Sequence, residues 1–202
     1  MFEEKPVSNL GRPRKLIFGV GINDAEYITA YKDTNNKRVQ CPFYGKWVAL
    51  LDRCYSTDLS KRRPNYAGCT MHEEWKTFSN FKKWMESQDW KGKHLDKDLI
   101  NWDAKHYGPD TCLFISPELN NLLTLRNNHR GELPLGVSRT TIKGFEYFTA
   151  SCSFYGKQKR LGYFKTPKEA AVKYKEAKLS YINELANTEK NPRIKQALLN
   201  LY

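Results

Sequence analysis

The chain has 202 residues, of which 34 are Lys or Arg and 22 are Asp or Glu, so its formal net charge is +12. Its apolar fraction of 40% is enough for a hydrophobic core, which excludes a disordered basic tail. No stretch approaches the roughly 18 consecutive apolar residues of a spanning helix, and the N-terminus lacks the apolar core of a secretory signal. We therefore expect a cytoplasmic protein with no membrane partner, and the positive charge points to nucleic acid.

The five cysteines indicate no disulfide framework. They are odd in number and widely spaced, with no CxxC pair, and we expect reduced thiols. Cys69 and His72 have metal-like spacing, and Cys41 and Cys54 could join them around zinc. The intervals are irregular, and a free cysteine is usually a small buried residue, so we do not expect structural zinc.

The first half of the chain predicts an arm, a strand and two helices. Residues 1–17 are polar and basic and are expected to form a flexible arm, and residues 16–30 favour a short strand or hairpin. Helical spacing predicts helices over 43–55 and 73–87, with a loop over 56–68 between them. The residues expected in the core are Trp47, Leu50, Leu51, Cys54, Trp75, Phe78, Phe81, Trp84 and Met85.

Residues 93–125 predict a strand, a polar loop, a second strand and a helix with Ser116 as N-cap and Pro117 at its first position. Such a unit can place a strand histidine opposite a helix residue, with a metal ion and a water molecule between them. The histidine would deprotonate the water while Mg²⁺ stabilises the charge at phosphorus and on the leaving oxygen. Asp and Asn side chains supply the oxygen ligands that suit this cation.

The last third predicts three strands and a helix. The runs GVSRTT, FEYFTASCSF and KRLGYF are separated by hairpin sequences, and Thr166, Pro167 and Glu169 predict a capped helix start. Alternation puts Tyr147, Thr149 and Ser151 on a polar face, and Phe148, Ala150 and Cys152 on an apolar face that packs on the helix. Residues 134–186 contain ten Lys or Arg against four Glu, a local surplus of +6.

The segment KHLDKD…YGPDTCLFISPELNN resembles the HNH (His-Me finger, ββα-metal) nuclease motif, and its leader resembles that of phage-borne members. The resemblance covers residues 18–125 approximately. It implies that His94 is the general base and that Asp96 is an assisting carboxylate. It also implies that Asp96 and Asn120 bind one Mg²⁺ or Mn²⁺ ion. In the loop, His106 is a candidate for contact with the scissile phosphate, and Arg126 for charge stabilisation.

Two positions depart from that motif. Lys93 stands where a metal-binding Asp or His is usual, and a protonated lysine cannot bind Mg²⁺. Thr111 stands where an Asn usually holds the loop. The alternative interpretation is that His94 is an ordinary strand histidine and Asp96 a turn carboxylate.

The C-terminal segment resembles the AP2 (ethylene-response-type) DNA-binding domain in Gly136-Val137, Leu161-Gly162-x-Phe164, Thr166, Glu169-Ala170-Ala171, Tyr174 and Ala177. The resemblance implies a three-stranded sheet, packed on one helix, that enters the major groove and reads base edges. The implied DNA-binding residues are Arg139, Thr141, Lys143, Tyr147, Thr149, Ser151, Lys157, Lys159 and Arg160. We expect Lys157 and Lys165 to contact phosphate rather than bases.

Together these patterns predict an α+β chain. Its expected parts are an arm (1–17), an HNH-like nuclease domain (18–130), an AP2-like DNA-binding domain (134–186) and a tail (187–202) that is a short polar helix or a fraying end. The expected function is that of a phage-type homing endonuclease or nickase, acting on double-stranded DNA as a monomer in the bacterial cytoplasm. We expect no small-molecule cofactor. The alternatives are an inactive derivative that represses transcription, and an RNA-binding protein.

Overall fold

The computed structural model describes residues 2–7, 14–101, 103–123 and 132–201. These residues form a mixed α+β chain with six α-helices and small β-sheets, as the sequence predicted at this level. The chain divides into two compact units, Met1–Phe114 and Ile115–Tyr202. Within the described residues, no helix combines the length and the apolar character that crossing a membrane requires.

The first unit is built around two helices. In chain order its elements are β1 (Ala30–Lys32), β2 (Arg38–Gln40), α1 (Pro42–Tyr55), α2 (Thr57–Arg62), β3 (Thr70–Met71), α3 (Phe78–Glu86), β4 (His94–Asp96), β5 (His106–Tyr107) and β6 (Leu113–Ile115). Strands β1 and β2 pair antiparallel, β3 and β5 pair parallel, and β4 pairs with β6. All six of these strands are only two or three residues long, so the helices supply most of the core.

The aromatic residues of α1 and α3 form that core, as predicted. Trp47, Phe78 and Phe81 are fully buried. The Trp47 indole N–H donates a 2.6 Å hydrogen bond to the carbonyl of Trp75, which satisfies the ring's polar atom inside the core. The aromatic side chains therefore hold the unit together and are not available as a ligand platform.

Three predicted elements of this unit differ in the structure. Residues 16–30 contain isolated bridges, such as Ile17–Gly21, and no regular strand before β1. The predicted loop over 56–68 contains α2, because the Ser56 side chain caps it by accepting a 3.2 Å hydrogen bond from the Leu59 N–H. The predicted helix over 73–87 is broken at Thr77.

The break at Thr77 has a clear cause in the backbone hydrogen bonds. The Ile22 N–H donates to the carbonyl of Lys76 at 2.8 Å, and the Phe78 N–H donates to the carbonyl of Ile22 at 2.9 Å. The Lys76 carbonyl and the Phe78 N–H, which flank Thr77, are thus both bonded to Ile22. They cannot form the hydrogen bonds of a continuous helix. A 3₁₀ turn (Glu73–Lys76) therefore precedes α3.

Part of the predicted flexible arm is held by this unit. The carbonyl of Lys5 accepts a 2.8 Å hydrogen bond from the Ile28 N–H, and Glu4 forms a 2.8 Å ion pair with Lys82. Phe2 packs against the core. This apolar contact helps to hold residues 2–7 against the unit, although their charge had predicted a flexible arm. Residues 8–13 lie outside the described residues.

The second unit contains α4 (Pro117–Leu123), β7 (Val137–Ile142), β8 (Phe145–Phe154), β9 (Lys157–Phe164), α5 (Pro167–Thr188) and α6 (Pro192–Leu199). Strands β7, β8 and β9 form an antiparallel sheet in that order. Both hairpin turns have two successive residues with positive φ, Lys143 and Gly144 in the first and Tyr155 and Gly156 in the second. This backbone matches the right-handed twist of the strands, and the predicted strands are confirmed.

The predicted helix start is also confirmed. Thr166 and Glu169 form a reciprocal capping box, with Pro167 in the first turn. Phe148 and Ala150 of β8 pack against Ala170 of α5. The tail does not fray: α6 buries Ile194 and Leu198, and its spacing of four residues lays both on one helix face.

We predict that Gly136→Ala destabilises the second unit more than Gly144→Ala. Both glycines have positive φ, +77° and +83°, and this strain alone costs an alanine about 1 kcal/mol. A methyl group at residue 136 would also collide with the Tyr174 ring, whereas one at residue 144 meets nothing within 4 Å. The loss for Gly136→Ala should be about 2 kcal/mol or more. Hydrogen exchange of the β8 amides measures this unit, and equal losses in the two variants would contradict the close contact.

Candidate functional site

The C-terminal sheet has two faces of different chemistry. Phe148 and Ala150 define the face that packs on α5, and their neighbours along β8 point the other way. Cross-strand partners share a face, so the pairing assigns residues of β7 and β9 as well. The residues of the opposite face, here called the open face, are Ser138, Thr140, Ile142, Phe145, Tyr147, Thr149, Ser151, Ser153, Gln158, Arg160 and Tyr163.

The pairing divides the DNA-binding candidates between the two faces. Tyr147, Thr149, Ser151 and Arg160 lie on the open face. Arg139 pairs with Phe148 and Thr141 with Glu146, so these two lie on the helix-facing side. Lys159 pairs with Cys152 and Lys157 with Phe154, which places both lysines on that side too. Lys143 lies in the first hairpin turn.

A β-bulge decides the position of Arg160. Thr149 pairs with Tyr163, but after a register shift between Ala150 and Ser151, Ser151 pairs with Arg160. Without this shift Ser151 would oppose Leu161, and Arg160 would turn toward the helix. Lys159 and Arg160 are adjacent in sequence, and the bulge determines which of them faces outward.

Arg160 contacts Tyr163, a residue that was not among the predicted DNA-binding residues. The Arg160 guanidinium donates a hydrogen bond to the Tyr163 hydroxyl and lies 5.2 Å from the ring centroid. Both residues are exposed. Thr149, in contrast, is only 6% exposed, so its side chain is not accessible. Phe164 packs against the core under α5, and alternation along the strand places its neighbour Tyr163 on the opposite face. This alternation is the sequence signal that would have identified Tyr163.

The cations of the sheet and its turns have few acidic neighbours, although Lys157 and Lys159 lie on the helix-facing side. Lys143, Lys157, Lys159 and Lys165 are all exposed. Arg139 is the exception, because its Nε lies 3.3 Å from a carboxylate oxygen of Glu146. A polar and aromatic face bordered by cations is an arrangement that suits the phosphate backbone and base edges of DNA.

In the first unit, β4 carries the candidate base. The His94 residue is exposed. The preceding Lys93 forms an ion pair with Asp89, with 2.6 Å between Nζ and Oδ2. This contact keeps an ammonium, and not an oxygen ligand, beside His94.

Asp96 is half-buried and caps a turn. Its Oδ1 accepts a 2.8 Å hydrogen bond from the Leu99 N–H. Burial raises the pKa of the Asp96 carboxyl, and the neighbouring Asp98 adds to the shift. A nearby cation stabilises the charged form of a desolvated carboxylate, and Mg²⁺ prefers oxygen ligands. The Asp96 carboxylate therefore fits the chemistry of Mg²⁺. Its turn contact equally fits a structural role. Asn120 lies in α4, in the second unit.

Helix α1 holds β4 on both sides of His94. The Lys46 ammonium donates a 2.9 Å hydrogen bond to the carbonyl of Lys93, and the Arg53 guanidinium donates a 3.5 Å hydrogen bond to that of Leu95. The two cations are seven residues apart, so they share one face of the helix. Burial and the nearby Arg53 lower the pKa of the Lys46 ammonium. Neither residue was a candidate, although their helical spacing is visible in the sequence.

His106, predicted to lie in a loop, is the first residue of β5, and Thr111 lies in the turn that follows this strand. His106 Nδ1 is 2.9 Å from the Thr70 hydroxyl of β3. The Thr111 hydroxyl donates to the carbonyl of His106 and accepts from the Gly108 N–H, each at 2.8 Å. Threonine therefore holds the loop at the position where the nuclease motif usually has an asparagine.

The thiols form no metal centre among the described residues, where no group of three or more His, Cys, Asp or Glu could hold a metal ion. All five cysteines are free thiols. Burial raises the pKa of the Cys54 thiol to about 12, so it stays protonated at neutral pH.

Comparisons of the chain with family models, with curated proteins and with solved structures find no match.

We predict that Thr111→Val destabilises the first unit, whereas Thr111→Ser does not. Valine has nearly the same shape but leaves the Gly108 N–H and the His106 carbonyl without their partner, at a cost of about 1 to 2 kcal/mol. Serine keeps the hydroxyl. All five tryptophans belong to the first unit, so tryptophan fluorescence during urea unfolding measures it. Equal stability of the valine variant and the wild type would show that the loop is held by other contacts.

Proposed function

We propose that the chain is a site-specific DNA-binding protein of the HNH homing endonuclease type. In this proposal the open face of the second unit contacts the major groove, and the first unit hydrolyses a phosphodiester bond. The observation that carries the DNA-binding part is the open face itself. It presents Arg160 and Tyr163 on one side of a sheet whose other side is covered by α5.

The chemistry of the open face supports base contact. Arginine donates two hydrogen bonds to guanine, and serine or threonine hydroxyls can bond to any base edge. The hydrogen bond between Arg160 and the Tyr163 hydroxyl limits the rotamers of the long side chain, which reduces the entropy lost on binding. The lysines around the face would contact phosphates and set the register on the duplex. Binding should weaken as salt rises.

The hydrolytic part rests on β4 and its supports. His94 would take the proton from an attacking water molecule, and the contacts of Lys46 and Arg53 with the flanking carbonyls would keep the strand in position. Asp96 would hold one Mg²⁺ or Mn²⁺ ion, which when bound supplies charge stabilisation at the scissile phosphate. His106 would contact that phosphate from β5.

The second candidate function is that of a non-cutting repressor, which is favoured by one observation. Lys93 stands in an ion pair with Asp89, where an active HNH site usually has an anionic or neutral metal ligand. Such a protein would keep the open face and occupy DNA without cleaving it.

We predict that Arg160→Ala weakens specific DNA binding about tenfold or more, whereas Arg139→Ala changes it much less. The two arginines lie on opposite faces of the same sheet. Both substitutions remove one positive charge, so a difference between them reports which face contacts DNA. Duplexes selected from a random pool by the wild-type protein provide the site, and the dissociation constants are compared at one salt concentration. Equal losses, or a larger loss for Arg139→Ala, would contradict the assignment of the open face.

We predict that the wild-type chain nicks or cuts the selected duplexes with Mg²⁺ or Mn²⁺ but not with EDTA, and that His94→Ala abolishes cleavage without weakening binding. His72→Ala is the matched control, since His72 is a half-buried histidine of the same unit with no role in the proposed reaction. Duplexes bound but left intact by the wild type under all conditions would overturn the nuclease and leave the repressor.

A further inference from the structure

The core-facing stripe of α5 contains one charged residue. Ala170, Lys178, Ile182 and Ala186 are buried and lie at multiples of four residues along the helix. Lys178 therefore occupies a position where an apolar side chain is the usual choice. Only 5% of its surface is exposed. A lysine this deeply buried is normally paired with an acid.

The ammonium of Lys178 has no such pair among the described residues. Its Nζ lies over the ring of Tyr174, 5.9 Å from the centroid, and no carboxylate or hydrogen-bond acceptor lies within bonding distance. Every fully buried side-chain nitrogen or oxygen in the described part of the chain has a hydrogen-bond partner. The unpaired Nζ must therefore border open space.

That space is a cavity of about 500 Å³ within the second unit. Strand β7 pairs with β8 as far as Ala150, and the Ser151 N–H donates a 2.9 Å hydrogen bond to the carbonyl of Gly136, so the edge of β8 is left open beyond Ser151. Lys178 and Cys152 line the cavity from the helix side, and Ser151 and Ser153 add hydroxyl groups. Burial lowers the pKa of the Lys178 ammonium, as expected for a desolvated cation without a counter-charge. The volume is that of a small-molecule site.

We propose that this cavity binds a small molecule through an oxyanion, a carboxylate or a phosphate monoester, that pairs with Lys178. An anion there would offset the free-energy cost of desolvating the ammonium. An apolar residue of equal length at position 178 would not incur this cost. Glu118 also lines the cavity, so a singly charged oxyanion meets less repulsion there than a doubly charged one. Ser138, Ser151, Ser153 and Gln158 of the open face also line this cavity, but the binding of a small anion there does not depend on DNA binding.

The test titrates the full-length protein with sodium acetate, inorganic phosphate and dAMP, each at constant ionic strength. Amide chemical shifts of Ser151, Cys152 and Tyr181 report on the cavity. We expect saturable shifts with at least one probe in the wild type, and binding at least tenfold weaker in Lys178→Met. Lys175→Met is the matched control, because Lys175 is an exposed lysine of the same helix, and it should bind like the wild type.

The three probes separate the possible sources of the oxyanion. Saturation by acetate identifies a carboxylate site, saturation by phosphate a phosphate site, and tighter binding of dAMP than of phosphate shows that the organic part of the ligand contributes. Linear, non-saturating shifts with all three probes would overturn the proposal, as would equal affinity in Lys178→Met. Ser153→Leu gives a second test without altering the lysine, since Ser153 is exposed at the cavity and leucine would fill it and weaken binding.

Discussion

Helix α5 covers one face of a three-stranded sheet, and this constraint determines the chemistry of the whole second unit. Because cross-strand partners share a face, each residue of β7, β8 and β9 faces either the helix or the opposite side. Phe148 and Ala150 pack against the helix, which leaves polar and aromatic residues on the open face. The bulge after Ala150 then places Arg160, and not its neighbour Lys159, among them.

The same packing gives Lys178 its unusual position. It lies on the side of α5 that meets the sheet, where a charge is expensive to bury. The early end of β7 pairing leaves space beside the last residues of β8, and the ammonium borders that space. The proposed DNA-binding face and the proposed anion site thus adjoin in one small module, and Ser151 and Ser153 belong to both.

In the first unit, an aromatic core fixes α1, and α1 in turn holds the strand that carries His94. Lys46 and Arg53 bond to the carbonyls on either side of this histidine, so the candidate base depends on a helix far from it in sequence. Thr111 ties the neighbouring loop through two hydrogen bonds of one hydroxyl. The Thr111 hydroxyl therefore keeps the loop in place, whereas the ion pair of Lys93 with Asp89 holds an ammonium beside His94.

The sequence by itself determined the elements whose signals are local. The strands and turns of residues 137–164, the capped start of α5 and the aromatic faces of α1 and α3 follow from alternation, positive-φ turn residues, capping chemistry and helical spacing. The tertiary structure alone decided the rest, because distant residues compete for the same groups. Ile22 breaks a helix at Thr77 by taking its hydrogen bonds. Likewise, the partner strand and its bulge, which no local pattern records, decide which face Arg139 and Arg160 occupy.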